Sequence, residues 1–237
     1  MENAPLTRYS EITEKNRREI VLLRGSGCKW GRCTFCDYHL DFSPDETSNF
    51  ALNQEVLGQV TGKYGRLEVI NSGSFVDLDD RTMKRILDIC IEKKITEIHF
   101  ECHWIHRDAV PALRKTFASH GIQTKIKIGV ETFDDRYREQ VLLKGIDETS
   151  PAKIAACFDE VCLLFGLDGQ TEDSMRHDIE TGLPYFERVC INIMVENTAR
   201  IKPSPPVIET FMKKLYPVYK DNERVDILLN NTDFGVG

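Results

Sequence analysis

The chain predicts an α/β protein: a partial (βα)6 barrel of parallel strands, with one additional strand at its C-terminal end. Three observations carry that prediction. Short apolar runs recur along the chain, amphipathic helical patterns lie between them, and polar or glycine-rich residues follow several of the runs. The runs are Glu19 to Arg24, Leu67 to Asn71, Glu97 to Glu101, Lys125 to Glu131, Glu160 to Gly166, Val189 to Glu196 and Val225 to Leu229. Strands separated by helices pair in parallel, since a crossover returns the chain to the same end of the sheet. Six such units form an open barrel and the last run extends it. The site of a barrel of this kind is built where its strands end, so the residues after each run weigh most.

Each element has its own signal. The first run leads at once into a cysteine-rich loop. Between the second and third, Asp79 is placed to cap a helix whose Met83, Ile86, Leu87 and Cys90 share one face. Between the third and fourth, Val110, Leu113 and Phe117 recur at helical spacing, and Gly121 supplies a C-terminal stop. The fourth run, Lys125-Ile126-Lys127-Ile128-Gly129-Val130-Glu131, alternates with period two: the isoleucines and Val130 fall on one face, Gly129 and Glu131 on the other. No linker, charge block or internal repeat divides the chain, so residues 1–237 form one expected domain.

Composition narrows the function. With 237 residues, 41% hydrophobic and 29% charged, the chain suits a soluble fold with a sizeable core. It shows neither a signal peptide nor an apolar run long enough to cross a bilayer, which points to the cytoplasm and away from a membrane. A formal net charge of −7 argues against gripping a phosphate backbone, so the expected partner is a small molecule rather than a nucleic acid. Of the eight cysteines, Cys90, Cys102, Cys157, Cys162 and Cys190 are scattered through apolar segments and suit a reduced core.

Cys28, Cys33 and Cys36 are different. Spaced CX4CX2C directly after the first run, they offer three thiolates together. A four-iron cluster with only three protein ligands keeps one iron open to bind something else. His39, just beyond Cys36, would instead complete a closed Cys3His zinc site.

At these residues the chain resembles the radical S-adenosylmethionine (SAM) superfamily, whose usual motif is CX3CX2C with an aromatic residue, here Phe35, before the last cysteine. The resemblance implies a radical SAM barrel with a [4Fe-4S] cluster on Cys28, Cys33 and Cys36. It implies SAM as second cofactor, cleaved to a 5′-deoxyadenosyl radical that takes hydrogen from a substrate. Backbone atoms of Ser72, Gly73 and Ser74, after the second run, correspond to the segment that binds the SAM amino group. Glu131 resembles a ribose- or amino-contacting position, and Lys144 a basic residue that meets the SAM carboxylate. Gly166 and Leu167 resemble residues bordering the adenine, and Asn197 one that contacts it through the backbone. The implied electron donor is a reductant protein such as flavodoxin or ferredoxin.

Polar residues outside that set address the substrate. Glu101 and His103 close the third run, face one way by alternation, and form the candidate catalytic pair, able to orient a substrate or move a proton. Asn192 and Glu196 share a face of the sixth run with Met194, and Asn231 and Asp233 follow the last run; these four are candidate substrate-binding residues. The compact acidic chain, with no added cysteine-rich domain, is similar to the superfamily's small lyases that cleave a carbon–nitrogen bond of a queuine-like 7-deazaguanine. A carboxylate such as Glu196 or Asp233 would accept the adjacent N–H donors of that base. The alternatives are a radical SAM mutase or dehydrogenase acting on another small metabolite, and a noncatalytic zinc module.

Overall fold

The computed structural model describes residues 6–229. Eight strands form one sheet in which each is hydrogen-bonded to the next in chain order. β1 (Tyr9–Ile12) lies antiparallel to β2 (Arg18–Leu23). β3 (Arg66–Asn71), β4 (Glu97–Glu101), β5 (Gln123–Glu131), β6 (Glu160–Phe165), β7 (Arg188–Ile193) and β8 (Val225–Leu228) follow in parallel. The strands β2 to β7 are the six expected barrel units and β8 is the expected addition. The prediction omits β1, whose Tyr-Ser-Glu-Ile sequence carries no apolar run. Pairing with β2 holds it, together with the Tyr9 hydroxyl on Glu11 and Glu19 at 3.0 and 2.9 Å.

The helices are α1 (Glu46–Leu57), α2 (Asp80–Glu92), α3 (Val110–Ala118), α4 (Asp135–Gln140), α5 (Pro151–Ala155) and α6 (Glu172–Gly182), followed by α7 (Pro205–Thr210). A π-helical turn over Phe211–Leu215 joins α7 to α8 (Tyr216–Tyr219). Asp79 caps α2 by accepting the Thr82 N–H at 3.0 Å. Gly121, just past α3, takes the left-handed conformation expected of a stop, with φ +73°.

Alternation gives the sheet two unlike faces. Val69, Ile98, Phe100, Ile126, Ile128, Val161, Leu163, Val189 and Ile191 join Ile86, Ile89, Leu113, Phe117 and Ile179 of the helices in the main apolar core. The opposite, concave face is charged near the strand starts. There Arg18 pairs with Glu68, Lys127 pairs with Glu68, and His99 Nδ1 lies 3.2 Å from Glu160. Arg188 lies 3.4 Å from Glu160 and 3.5 Å from Asp226, and Asp226 is 3.3 Å from Arg18. No backbone ladder joins β8 to β2 among the described residues. Arg18 and Asp226 bridge them instead, and Asn16 Nδ2 donates to Asp226 at 2.7 Å.

Burial would raise the carboxyl pKa values in this layer, but the neighbouring cations overcome it. Lys127 and then Arg18 hold Glu68 well below the usual carboxylate range. For Glu160, opposing the same burial, His99 does most to bring the pKa to about 2. Against an ordinary value of 4.5, the Glu160 contribution to stability is complete above that pH and is lost as pH falls towards 2. Glu160→Gln leaves His99 and Arg188 without their shared carboxylate and is expected to cost about 3–5 kcal/mol at neutral pH. Urea unfolding followed from neutral pH into this acid range should show a lower midpoint and a shallower acid decline in the variant; curves that superpose on wild type would contradict this account.

Candidate active site

At the end of β2 the chain leaves the sheet as a loop carrying all three clustered cysteines. Helix α1 clips the base of that loop. Asn53 accepts the Arg24 N–H at 2.8 Å and donates to the Arg24 carbonyl at 2.9 Å, standing in for a neighbouring strand. Asn49, one turn earlier on the same face, donates to the carbonyls of Gly25 and Ser43 at 3.2 and 2.8 Å. Within the loop, Gly31 is left-handed at φ +56° and its N–H points at Cys28 Sγ, 3.5 Å away.

The far side of the loop is held by the segment after α4. Thr34 donates from N and Oγ1 to the carbonyls of Leu142 and Val141, at 3.1 and 2.7 Å. Trp30 Nε1 donates to the Leu143 carbonyl at 2.8 Å. Its indole fills the space beside Gly145, where a Cβ would come within 2.1 Å of the ring, and stacks on His103 with centroids 5.5 Å apart. A third anchor follows β7: Asn197 Nδ2 donates to the Phe35 carbonyl at 2.8 Å, and Thr198 donates twice to Asp37 at 2.9 Å.

The three cysteines open onto a cavity at the strand ends, walled by Asn71 of β3, Glu101 of β4, Lys127, Gly129 and Glu131 of β5 and Cys162 of β6. Burial pushes the Cys33 thiol up, and the Cys36 thiol up to about 12. Activated cysteine nucleophiles are shifted the other way, whereas a metal's charge deprotonates a coordinating thiol outright. Burial raises the core thiols of Cys90 and Cys102 in the same way, so it is the donor set, three soft thiol ligands on one loop at one cavity, that suits an iron–sulfur cluster. Facing them, Asn71 Oδ1, Ser72 Oγ and Glu131 Oε2 are buried without a hydrogen-bond partner, as expected of a wall made for a polar ligand. Gly73 is sterically required here, because a Cβ would lie 3.0 Å from Cys28 Cα and 2.3 Å from Asp77 Oδ2.

Glu131 reaches the cavity through a bulge rather than by plain alternation. Gly129 pairs with Cys162 and Glu131 with Leu163, so two steps on β5 match one on β6. The backbone at Glu131 is left-handed, φ +69°, a strain of about 1–3 kcal/mol for a non-glycine residue. Its carboxylate folds back over Gly129, where Oε1 sits 2.4 Å from the position of an added Cβ and accepts from Lys144 Nζ at 2.7 Å. Burial would lower the Lys144 pKa, but Glu131 and Cys33 raise it, so Lys144 remains an ammonium ion.

The cavity brings together Phe35, Ser72, Gly73, Glu101, His103, Glu131 and Lys144 with the cysteine triad. Several expectations are corrected. Ser74 does not line it: its N–H donates to Asp77 Oδ2 at 2.8 Å, its carbonyl accepts from Asn71 at 3.0 Å, and its hydroxyl accepts the His103 N–H at 2.9 Å. His103 is not on a strand face with Glu101, since β4 ends at Glu101 and His103 caps the following turn. Its Nε2 lies 2.8 Å from the Lys144 carbonyl and its Nδ1 accepts the Ile105 N–H at 3.3 Å. Burial, reinforced by Lys144, brings its pKa down to about 4, so the ring is neutral and both nitrogens are committed to backbone. Glu101 differs: burial pushes its pKa up to about 7.

Gly166 and Leu167 also lie outside the cavity lining. Gly166 has φ +96° and packs on Ile208, while Leu167 is fully buried in a small cluster with Phe35, Leu142, Leu164 and Met194. Asn197 serves the cysteine loop through its side chain. Because β7 stops at Ile193, Glu196 never joins the Asn192 face; it is 71% exposed and pairs with Lys202 at 2.9 Å. Asn192 does point inward, buried, with Oδ1 unpartnered. Asn231, Asp233 and the side chain of His39 lie outside the described residues. Sequence reasoning missed Lys127 and Cys162 in the cavity wall, although both fall on the inward phase of their strands, and it missed the Trp30–Gly145 contact, for which the sequence carries no local signal.

No family model matches the chain. It is 29% identical over 147 residues to an uncharacterised protein of Methanocaldococcus jannaschii, a stretch that takes in 53% of this chain but only 38% of that relative's length. The solved structure of the queuine lyase from Clostridium spiroforme, bound to SAM and queuine, matches with a TM-score of 0.92 at 44% identity, covering 98% of this chain and 100% of that one. By identity and fold along its whole length, and with the cysteine triad at the mouth of the barrel, the chain belongs to the queuine lyase family of radical SAM enzymes.

Proposed function

We propose that the protein is a radical SAM lyase that cleaves the carbon–nitrogen bond of queuine in queuine salvage. What carries this reading is the cavity that joins the cysteine triad to unpartnered buried polar atoms, in a chain matched end to end by a queuine lyase holding SAM and queuine. When bound, a [4Fe-4S] cluster and SAM would supply the radical chemistry that removes a hydrogen atom from the substrate.

The remaining work belongs to the chain. Cys28, Cys33 and Cys36 would hold the cluster, and Phe35 lines the same cavity. The Ser72–Gly73 backbone, Glu131 and Lys144 bind and orient the charged groups of SAM, which the Glu131–Lys144 pair meets with one charge of each sign. His103 positions Lys144 through the carbonyl of that residue rather than by exchanging a proton. Glu101, with its pKa near 7, holds or releases a proton at its carboxyl within the cavity. A flavodoxin or ferredoxin would deliver the electron. No helix among the described residues is long and apolar enough to cross a membrane, and we assign the enzyme to the cytoplasm.

Anaerobically reconstituted protein given SAM, a reductant and queuine should form 5′-deoxyadenosine and release a smaller 7-deazaguanine, detected by mass spectrometry. SAM cleavage with no queuine-dependent product would remove queuine and favour a mutase or dehydrogenase of another metabolite. Glu131→Ala should weaken SAM binding by about 1–3 kcal/mol, read by titration calorimetry, while iron content stays unchanged. Equal affinity would return Glu131 to a purely structural role. Gly145→Ala should push the Trp30 indole out of its gap, and its visible iron–sulfur absorbance should then decay several-fold faster against a chelator. Wild-type decay would show that the indole does not brace the loop.

A further inference from the structure

The outer side of the cysteine loop differs in charge from the molecule as a whole. The chain carries a formal net charge of −7, yet Lys29 and Arg32, beside Cys28 and Cys33, are both exposed. Exposed Arg200 joins them from the segment after β7, because its neighbour Ile201 donates its N–H to the Thr34 carbonyl at 2.9 Å. Among the described residues, no ion pair or side-chain hydrogen bond takes up any of these three cations. Arg32 has only the Trp30 ring, whose centroid is 5.1 Å from its guanidinium carbon. The carboxylates around the loop, by contrast, are engaged. Asp41 pairs with Arg8 at 2.7 Å, Glu196 with Lys202 at 2.9 Å, and Asp37 accepts twice from Thr198. Asp77 feels the Lys29 charge, but it is buried and accepts the Ser74 N–H.

Apolar side chains gather at the same place. Of the eight large ones exposed among the described residues, Leu40, Phe42, Ile105 and Leu143 adjoin the loop. Phe42 covers Gly27, where an added Cβ would lie 3.2 Å from its ring. Leu143 accepts the Trp30 indole N–H, and Ile105 donates to His103, on which Trp30 stacks. Leu40 follows Cys36 by four residues and is 61% exposed. One such side chain would be ordinary. Half of them on one lip, beside cations that the fold does not use, make up a protein-binding face.

The place of this face selects the partner. Gly31, exposed between Lys29 and Arg32, sends its N–H to Cys28 Sγ at 3.5 Å, so one layer of backbone separates solvent from a ligand sulfur. Electron transfer falls steeply with distance, and electron-transfer contacts are small and weak, which suits a patch of this size. A nucleic acid would call for a longer run of cations than three side chains. We propose that the outer side of the cysteine loop is the docking face for the electron carrier, a small acidic protein whose carboxylates meet Lys29, Arg32 and Arg200. The net negative charge of the chain disfavours approach elsewhere and steers the carrier to this lip. Each encounter passes one electron, which oxidises the carrier and reduces the cluster, and no covalent bond changes. This inference rests on the radical SAM reading and adds to it the face and the charge of the partner.

The test uses reconstituted protein carrying its cluster. An acidic flavodoxin and an acidic ferredoxin serve as carriers, and dithionite as a small reductant that needs no docking face. Binding is read without turnover, by calorimetric titration with each oxidised carrier. Wild type should bind at least one of them and weaken steeply as salt rises. Lys29→Glu combined with Arg200→Glu leaves the Arg32–Trp30 contact in place. The pair should weaken carrier binding by on the order of tenfold, and slow carrier-driven bleaching of the iron–sulfur absorbance by a similar factor. Iron content and bleaching by dithionite should stay at wild-type values. Arg32→Glu should act in the same direction. Binding and bleaching that match wild type in all variants would overturn the proposal. So would equal slowing with carrier and dithionite, which would place the effect at the cluster, or a wild-type protein that forms its cluster and binds neither carrier. Salt-dependent binding of a short RNA duplex, lost in the variants while carrier binding persists, would assign the cations to a phosphate backbone instead. The two readings fail separately. A protein that gains no iron–sulfur absorbance on reconstitution removes both, whereas a cluster reduced by carrier as fast in the variants as in wild type removes the docking face alone.

Discussion

Arg18 reaches Glu68 on one side and Asp226 on the other, and through that reach the first and last parallel strands are joined where no backbone ladder joins them. Buried ions of this kind recover their desolvation cost only when every charge finds a partner, and here each carboxylate is shared between two cations. The arrangement fixes how far the sheet curls. It also fills the barrel at the strand starts and leaves the strand ends unfilled, so the position of the cavity follows from the position of the charges.

The upper rim obeys a different constraint, the close approach of backbones. The cysteine loop is not a free connection after β2. It is hydrogen-bonded to α1, to the segment after α4 and to the segment after β7, three elements far apart in the chain. Glycine appears where these pieces meet: Gly73 under Cys28 and Gly145 under Trp30. Ligand thiols are thereby presented from a braced frame, and a barrel with a rigid floor and a latched lip has room to vary only between them.

Much of this was legible in the sequence. Parallel strands usually give continuous apolar runs, but here the concave face is polar, so β4 and β5 alternate visibly and their phase is readable. The same polarity disguised what the alternation meant: Lys127, taken alone, looks like a solvated lysine, and only the curvature of the sheet turns its face inward. Glu196 was misplaced because strand length is set by the neighbours: β7 stops at Ile193, opposite the end of β6 at Phe165. Ser74 resembles a ligand-binding serine in sequence, yet its backbone groups are spent on Asp77 and Asn71, a local cap that the pattern around it does not announce. Contacts such as Trp30 with Gly145 join residues more than a hundred positions apart and leave no periodic trace.

The bulge at the end of β5 divides that strand into two phases. From Gln123 to Gly129 the residues keep step with β4 and β6, and the core depends on that timing. Past the inserted residue the strand answers to the site instead. A change at Glu131 therefore does not propagate into the register of the sheet, because the offset has already been absorbed between Gly129 and Glu131. One chain segment thus satisfies two periodicities, and the site can be retuned at its tip while the wall that carries it stays in step.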